Sequence, residues 1–116
     1  MPSLYVASER RGQCTIARIL WEKVSDREVE IVQPEILAAV GAPPLRLVVD
    51  LSAVTLLASP GLGMLITLHK KAKESGGAMA ITGLSPAIRE VLTLTRLHKL
   101  LTIEESLDSA VKRVGG

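Results

Sequence analysis

The side chains best placed for chemistry lie in one short stretch, Ala58-Ser-Pro-Gly-Leu-Gly63. A serine hydroxyl before a proline and two glycines can cap a helix, accept a phosphate or act as a nucleophile. The nucleophile pattern Gly-x-Ser-x-Gly is half met by Ser59 and Gly61, but Leu57 stands where its first glycine belongs. A dinucleotide-binding turn would need a third glycine where Ile66 stands, and no phosphate-binding Lys-Ser/Thr pair follows. His69 and His98 are the only histidines. His69 falls among Leu62, Leu65, Ile66 and Ala72 on a helical wheel, the setting of a hydrogen-bonded packing residue rather than a general base. Cys14 is the only cysteine; it permits no intrachain disulfide, nothing near it has a zinc spacing, and it reads as a small buried hydrophobe. No paired acid and base is visible, so the chain is expected not to be an enzyme and to hold no metal and no cofactor.

Composition removes further classes. Fourteen Lys and Arg stand against 12 Asp and Glu, a net charge of +2, too little for the dense basic patch that phosphate-driven binding to nucleic acid requires. One Trp and one Tyr, Trp21 and Tyr5, with no Phe, cannot form a platform on which bases stack. Hydrophobic residues make up 47% and charged residues 22% of the 116 residues, enough to fill one core, so residues 1–116 are read as one domain. Apolar runs reach only about four residues against the roughly 18 of a membrane span. The opening Met-Pro-Ser-Leu-Tyr has no basic leader region. The expectation is a cytoplasmic chain without membrane insertion, and nothing in the sequence calls for a homo-oligomer.

The elements that must position Ser59 follow from periodicity. Residues 4–7 and 14–20 read as strands around a turn at 9–12, with Gly12 at a positive-φ position. Ser25-Asp-Arg-Glu28 has the form of a capping box, and Val29, Val32, Ile36 and Val40 follow at helical spacing. This predicts a helix over 26–40, bent or restarted at Pro34. Residues 45–51 form a nearly continuous apolar strand of the kind covered on both faces, and a second apolar stretch runs over 54–57. Helical spacing then holds from Leu62 to Lys73, with Ser59 as N-cap, Pro60 at the first helical position and Gly76-Gly77 as terminator. A strand over 78–82, a Ser85-Pro86 cap with a helix of about two turns, a strand over 100–103 and a C-terminal helix carrying Leu107, Ala110, Val111 and Val114 complete the chain. The fold class is α/β, a mixed central sheet flanked by about four helices, with right-handed crossovers. Met64 and Leu68 widen the apolar arc of the 60–75 helix beyond what one sheet covers, so a neighbouring helix or a partner protein must cover the rest. Lys70, Lys71 and Lys73 read as a solvated face.

Taken in order, Leu47-Val-Val-Asp-Leu-Ser-Ala-Val54, Ala58-Ser-Pro-Gly-Leu-Gly63, Ser75-Gly-Gly77, Leu84-Ser-Pro-Ala-Ile-Arg-Glu-Val-Leu92 and Thr95-Arg-Leu-His-Lys-Leu100 resemble the STAS domain, and more narrowly the bacterial anti-sigma-factor antagonists. The resemblance covers almost the whole chain and is weakest before residue 24. It implies that Ser59 aligns with a serine phosphorylated by a partner that is both anti-sigma factor and kinase. Gly61 and Gly63 align with the turn glycines, and Asp50 with the aspartate ending the central strand. It further implies a partner surface made of Asp50, Ala58, Ser59, Pro60, Gly61, Leu62, Met64 and Leu68. The chain departs from the family at Ala58, where an aspartate is usual, and at Pro60; both erode the kinase site and leave the acceptor hydroxyl. A partner-switching regulator that frees a sigma factor is the leading expectation. A constitutive scaffold subunit of a lipid-transport or stress-sensing complex is the alternative. A phosphate on Ser59 would place about −1.5 to −2 charges at the positive end of a helix, with the amides of Gly61 and Leu62 expected to meet its oxygens.

Overall fold

The computed structural model describes residues 3–115. The chain runs β1 (Val6–Arg11), β2 (Cys14–Ile19), β3 (Lys23–Val24), α1 (Asp26–Val40), β4 (Arg46–Asp50) and β5 (Leu56–Leu57). It continues with α2 (Ser59–Glu74), β6 (Ala78–Thr82), α3 (Pro86–Leu94), α4 (Leu97–Leu100) and α5 (Leu107–Arg113). Four strands form a mixed sheet in the order β1-β2-β4-β6, with β1 antiparallel to β2 and the other neighbours parallel.

Strand alternation divides the core in two. Leu47, Val49, Met79 and Ile81 point to the face covered by α1 and α2, which also pack on each other. Val48, Ala80, Cys14 and Ile16 point to the opposite face, where Ala110, Val111 and Val114 at the C-terminal helix close a smaller cluster. Cys14 is fully buried there, and burial pushes its thiol pKa up, so it is the inert packing residue its sequence setting implied.

Helix α1 begins and ends where its spacing predicts. Glu28 accepts hydrogen bonds from the Ser25 amide at 3.0 Å and hydroxyl at 2.7 Å, and these bonds hold its carboxyl below the usual carboxylate range. Pro34 does not restart the helix. It sits on the exposed side, where water can take over the carbonyl that its missing N–H leaves free.

Three other expectations need correction. The first turn is shorter than 9–12: Glu9, Arg10 and Arg11 stay in the ladder, and Arg11 pairs directly with Cys14 across Gly12 and Gln13. Charge is tolerated there because β1 is an edge strand whose side chains reach water. Residues 100–103 do not form a strand. Arg96 adopts a left-handed φ of 62° and turns the chain into the short helix α4, which makes five helices among the described residues where about four were expected. Only Ile103 then reaches the sheet, as a single bridge to Ile81. Finally, β3 and β5 pair in parallel as a second, two-stranded sheet that the periodicity did not reveal.

Candidate functional site

That small second sheet builds the turn before Ser59. The Glu22 carbonyl accepts from the amides of Thr55 at 2.8 Å and Leu56 at 3.0 Å, and the Val24 carbonyl accepts from the Ala58 amide at 3.0 Å. Val24 and Leu57 are buried beneath it. The starts of α1 and α2 are thereby tied side by side. A Cβ on Gly61 would lie 2.9 Å from Leu57 Cδ2 and 3.0 Å from the Val24 carbonyl oxygen, so the first turn of α2 approaches β3 more closely than a side chain allows. Gly63 has open space around the same position.

The ladder also decides which residue caps α2. Ala58 is held extended (φ −76°, ψ 170°) by its bond to Val24, and its carbonyl accepts the first helical bond, from the Leu62 amide at 3.1 Å. Ala58 is therefore the N-cap, and Ser59 and Pro60 are the first two helical residues. This corrects the expectation that Ser59 caps the helix. Its side chain is exposed and makes no capping bond. The Leu62 amide is already committed, and Pro60 has none. The amides left to meet an anion in this turn are those of Ser59 and Gly61, not of Gly61 and Leu62. No acidic residue occupies the first turn. Ser59→Ala is expected to leave thermal stability nearly unchanged, whereas Ser85→Ala should cost about 1 kcal/mol, because the Ser85 hydroxyl accepts from the Ile88 amide at 3.2 Å. Paired thermal melts of the two variants check this.

Of the residues implied as a partner surface, Ala58, Ser59, Pro60 and Leu62 reach solvent fully or in part. Met64 and Leu68 do not: both are sealed in the core, 1% and 0% exposed. The wide apolar arc of α2 is covered by α1, the neighbouring-helix outcome. Gly61 is likewise buried against β3. Asp50 is 5% exposed and works inward. One carboxylate oxygen accepts from Arg18 Nε at 2.9 Å and the other from the Ser52 amide at 2.9 Å. Burial alone would raise the Asp50 pKa, but the bonds from Ser52 and the Arg18 guanidinium outweigh it and hold the carboxyl below its ordinary value. Gly83, at φ 76°, packs so tightly on the same carboxylate that a Cβ there would lie 2.6 Å from it. Asp50 thus fixes the loops that leave β4 and β6 and offers no surface to a partner.

Sequence reasoning missed the apolar surface beside this turn. Leu56 is 47%, Leu20 41% and Trp21 40% exposed, and Trp21 packs against Tyr5 with ring centroids 4.5 Å apart and ring planes tilted by 37°. A partial signal was available: the core needs few aromatic side chains, so Trp21 stays at the surface while Tyr5, half-buried, packs at the core's margin.

His69 departs from expectation in another way. It is buried, 7% exposed, but its Nδ1 has no hydrogen-bond partner among the described residues. Burial, and then the nearby Lys73 charge, lower its pKa below 6.5. The unfolded chain therefore takes up a proton first as pH falls through 6.5, and native stability present above that pH is lost below it. Thermal midpoints measured between pH 7 and 5 should fall for the native sequence and fall less for His69→Gln. Lys70, Lys71 and Lys73 form an exposed face, as expected, and none is in an ion pair among the described residues.

Among the described residues no cluster of potential metal ligands occurs, and no helix is long and apolar enough to cross a membrane. The STAS domain model matches residues 5–110. A STAS-domain containing protein of Pseudomonas aeruginosa is 34% identical over 64 residues, which is 55% of this chain and 63% of that protein; the match thus spans under two-thirds of that relative's length. An anti-sigma factor antagonist from Mycobacterium paratuberculosis is 28% identical, with a TM-score of 0.81 over 96% of this chain and 93% of that one. An anti-sigma-factor antagonist (STAS) domain protein from Planctomyces limnophilus shares the fold, with a TM-score of 0.82 at 24% identity over 95% of this chain and 97% of its own. With a family model matching it from residue 5 to residue 110 and solved relatives superposing along nearly its full length, the chain belongs to the STAS domain family.

Proposed function

We propose that this chain is an anti-sigma-factor antagonist that works by partner exchange. Unmodified, it docks the turn at Ala58–Leu62 on an anti-sigma factor and so frees a sigma factor for transcription; phosphorylated on Ser59 by a kinase activity of that partner, it lets go. The supporting observation is the exposed, uncommitted Ser59 hydroxyl at the first position of α2, on a turn made rigid by the β3–β5 ladder. A phosphate there meets the positive helix end, the Ser59 and Gly61 amides and no acidic side chain in the first turn, so the domain accommodates the charge without unfolding. The same charge pressed into a protein interface loses its water, and that cost expels the partner.

The test is incubation with a kinase-type anti-sigma factor and ATP, read by intact mass and by peptide mapping. A single phosphate on Ser59, with loss of the complex, is the expected result. Absence of modification in a complex that nonetheless forms would remove the switch and leave the binding. A constitutive scaffold subunit, the second reading, is supported by Ala58, which lacks an acid, and Pro60, which lacks an amide; it would form no such complex and would co-purify with transporter or stress-complex proteins instead.

A further inference from the structure

We infer that the outer edge of β1 is a second docking site, which takes an extended segment of another protein as an added strand. The two edges of the main sheet differ. That of β6 is met by the Ile103 bridge, whereas among the described residues no strand lies outside β1. The Leu20 amide donates to the Tyr5 carbonyl at 2.8 Å, and in the antiparallel register that continues from it (Val6 with Ile19, Ala7 with Arg18, Ser8 with Ala17) bonded pairs alternate. The backbone groups of Ala7, Glu9 and Arg11 therefore face β2, and those of Val6, Ser8 and Arg10 face outward; the Val6 amide already donates to the Ser3 hydroxyl at 3.1 Å, which leaves the Val6 carbonyl and both groups of Ser8 and Arg10 open. Only another extended backbone matches such a row of alternating donors and acceptors.

Beside the Val6–Ser8 half of this edge lies an open groove of about 790 Å³. It is lined by Val6, Ala7 and Ser8 of β1, Leu20 just after β2, Ala38 and Ala39 of α1, and at one end by Ser3, whose hydroxyl donates to Glu35. Small side chains leave that space, and every second residue of an added strand would point into it, which calls for large apolar side chains there. The charged half of the strand, Glu9-Arg10-Arg11, limits pairing to a short segment. A second copy of β1 fits poorly. Antiparallel registers centred on Glu9 or Arg10 set like charges face to face, and one centred on Ser8 sets Arg10 over the apolar floor. A register centred on Ala7 leaves Arg10 beyond the end of the partner strand. In that register β1 would turn only Val6 and Ser8 into the groove, and their side chains are too small to fill it.

The experiment titrates the isotope-labelled domain with a soluble peptide of alternating isoleucine and threonine bearing one aspartate. The Ser8 and Arg10 amides are expected to shift, and that of Ser8 to exchange with solvent more slowly on binding. Ser8→Pro removes an outward amide that bonds nothing within the sheet, and is expected to fold normally and bind at least tenfold more weakly. Ala39→Trp, which leaves the strand untouched, fills the groove and should weaken binding to a similar degree, a control should the proline variant fail to fold. The proposal is overturned if the peptide leaves those amides unmoved at millimolar concentration, or if a folded Ser8→Pro or the Ala39→Trp variant binds as the native chain does. A dimer in sedimentation that Ser8→Pro abolishes would also overturn it, by giving the edge to a second copy.

Discussion

On the proposed partner exchange, Ser59→Glu is expected to weaken binding to an anti-sigma factor by at least about a hundredfold while leaving the domain folded. Truncating or adding a charge in a desolvated interface commonly shifts affinity by about 2–5 kcal/mol, and about 2.7 kcal/mol is a hundredfold. The folded state has the opposite response. Ser59 is exposed in the first turn of α2, which carries no acidic residue, and an anion there gains about 0.3–1 kcal/mol from the helix end. The variant should therefore melt at the native temperature or slightly above it. Ser59→Ala separates charge from hydroxyl: it should bind normally and resist phosphorylation, because the hydroxyl holds no bond that its loss would break. Calorimetric titration of the three proteins against one anti-sigma factor reads all of this. Native affinity in the glutamate variant would refute the switch, and lost affinity in the alanine variant would make the hydroxyl itself a contact.

The second large effect falls on stability. Asp50→Ala should cost about 2–3 kcal/mol, whereas Arg18→Ala should cost under about 1 kcal/mol, although the two residues form one ion pair at 2.9 Å. The asymmetry follows from exposure: the Arg18 side chain is 52% exposed and the Asp50 side chain 7%. Water replaces the guanidinium cheaply. Removing the carboxylate instead leaves the Ser52 amide without its acceptor and opens space against Gly83. Denaturant unfolding of both variants decides it; equal losses would mean that the ion pair, rather than the hydrogen bonds to the loop, carries the contribution. Because the Asp50 pKa is held down in the folded state, this contribution is present above the ordinary value of 3.8 and is lost as pH falls through the lower folded one. The Asp50→Ala variant should then show a shallower decline of stability in acid.

The comparison of expectation with structure separates two kinds of information. Helix α1 was legible to the residue because a capping box, a 3.6-residue apolar repeat and a closing glycine are all local features, and β6 was legible from its short apolar run after Gly76-Gly77. The two strands of the hairpin and the strand through Leu47-Val-Val49 were legible from their apolar runs, although the turn between the first two is shorter than expected. What was missed depends on residues far apart in the chain. Strands β3 and β5 have two residues each, too few to show a period, and exist only because Glu22 and Val24 meet Thr55, Leu56 and Ala58. That meeting moved the N-cap from Ser59 to Ala58.

From its residues alone, then, this chain determined a mixed α/β domain and a serine-bearing turn at the start of a helix, since local periodicity and capping chemistry act within one or two turns of backbone. Which side chains that turn presents was decided by tertiary packing. Helix α1 covers Met64 and Leu68, the loop contacts draw Asp50 inward, and Leu56, Leu20 and Trp21 are left at the surface. An apolar residue reads the same in sequence whether a neighbouring helix or a partner protein covers it, and only the folded arrangement distinguishes the two.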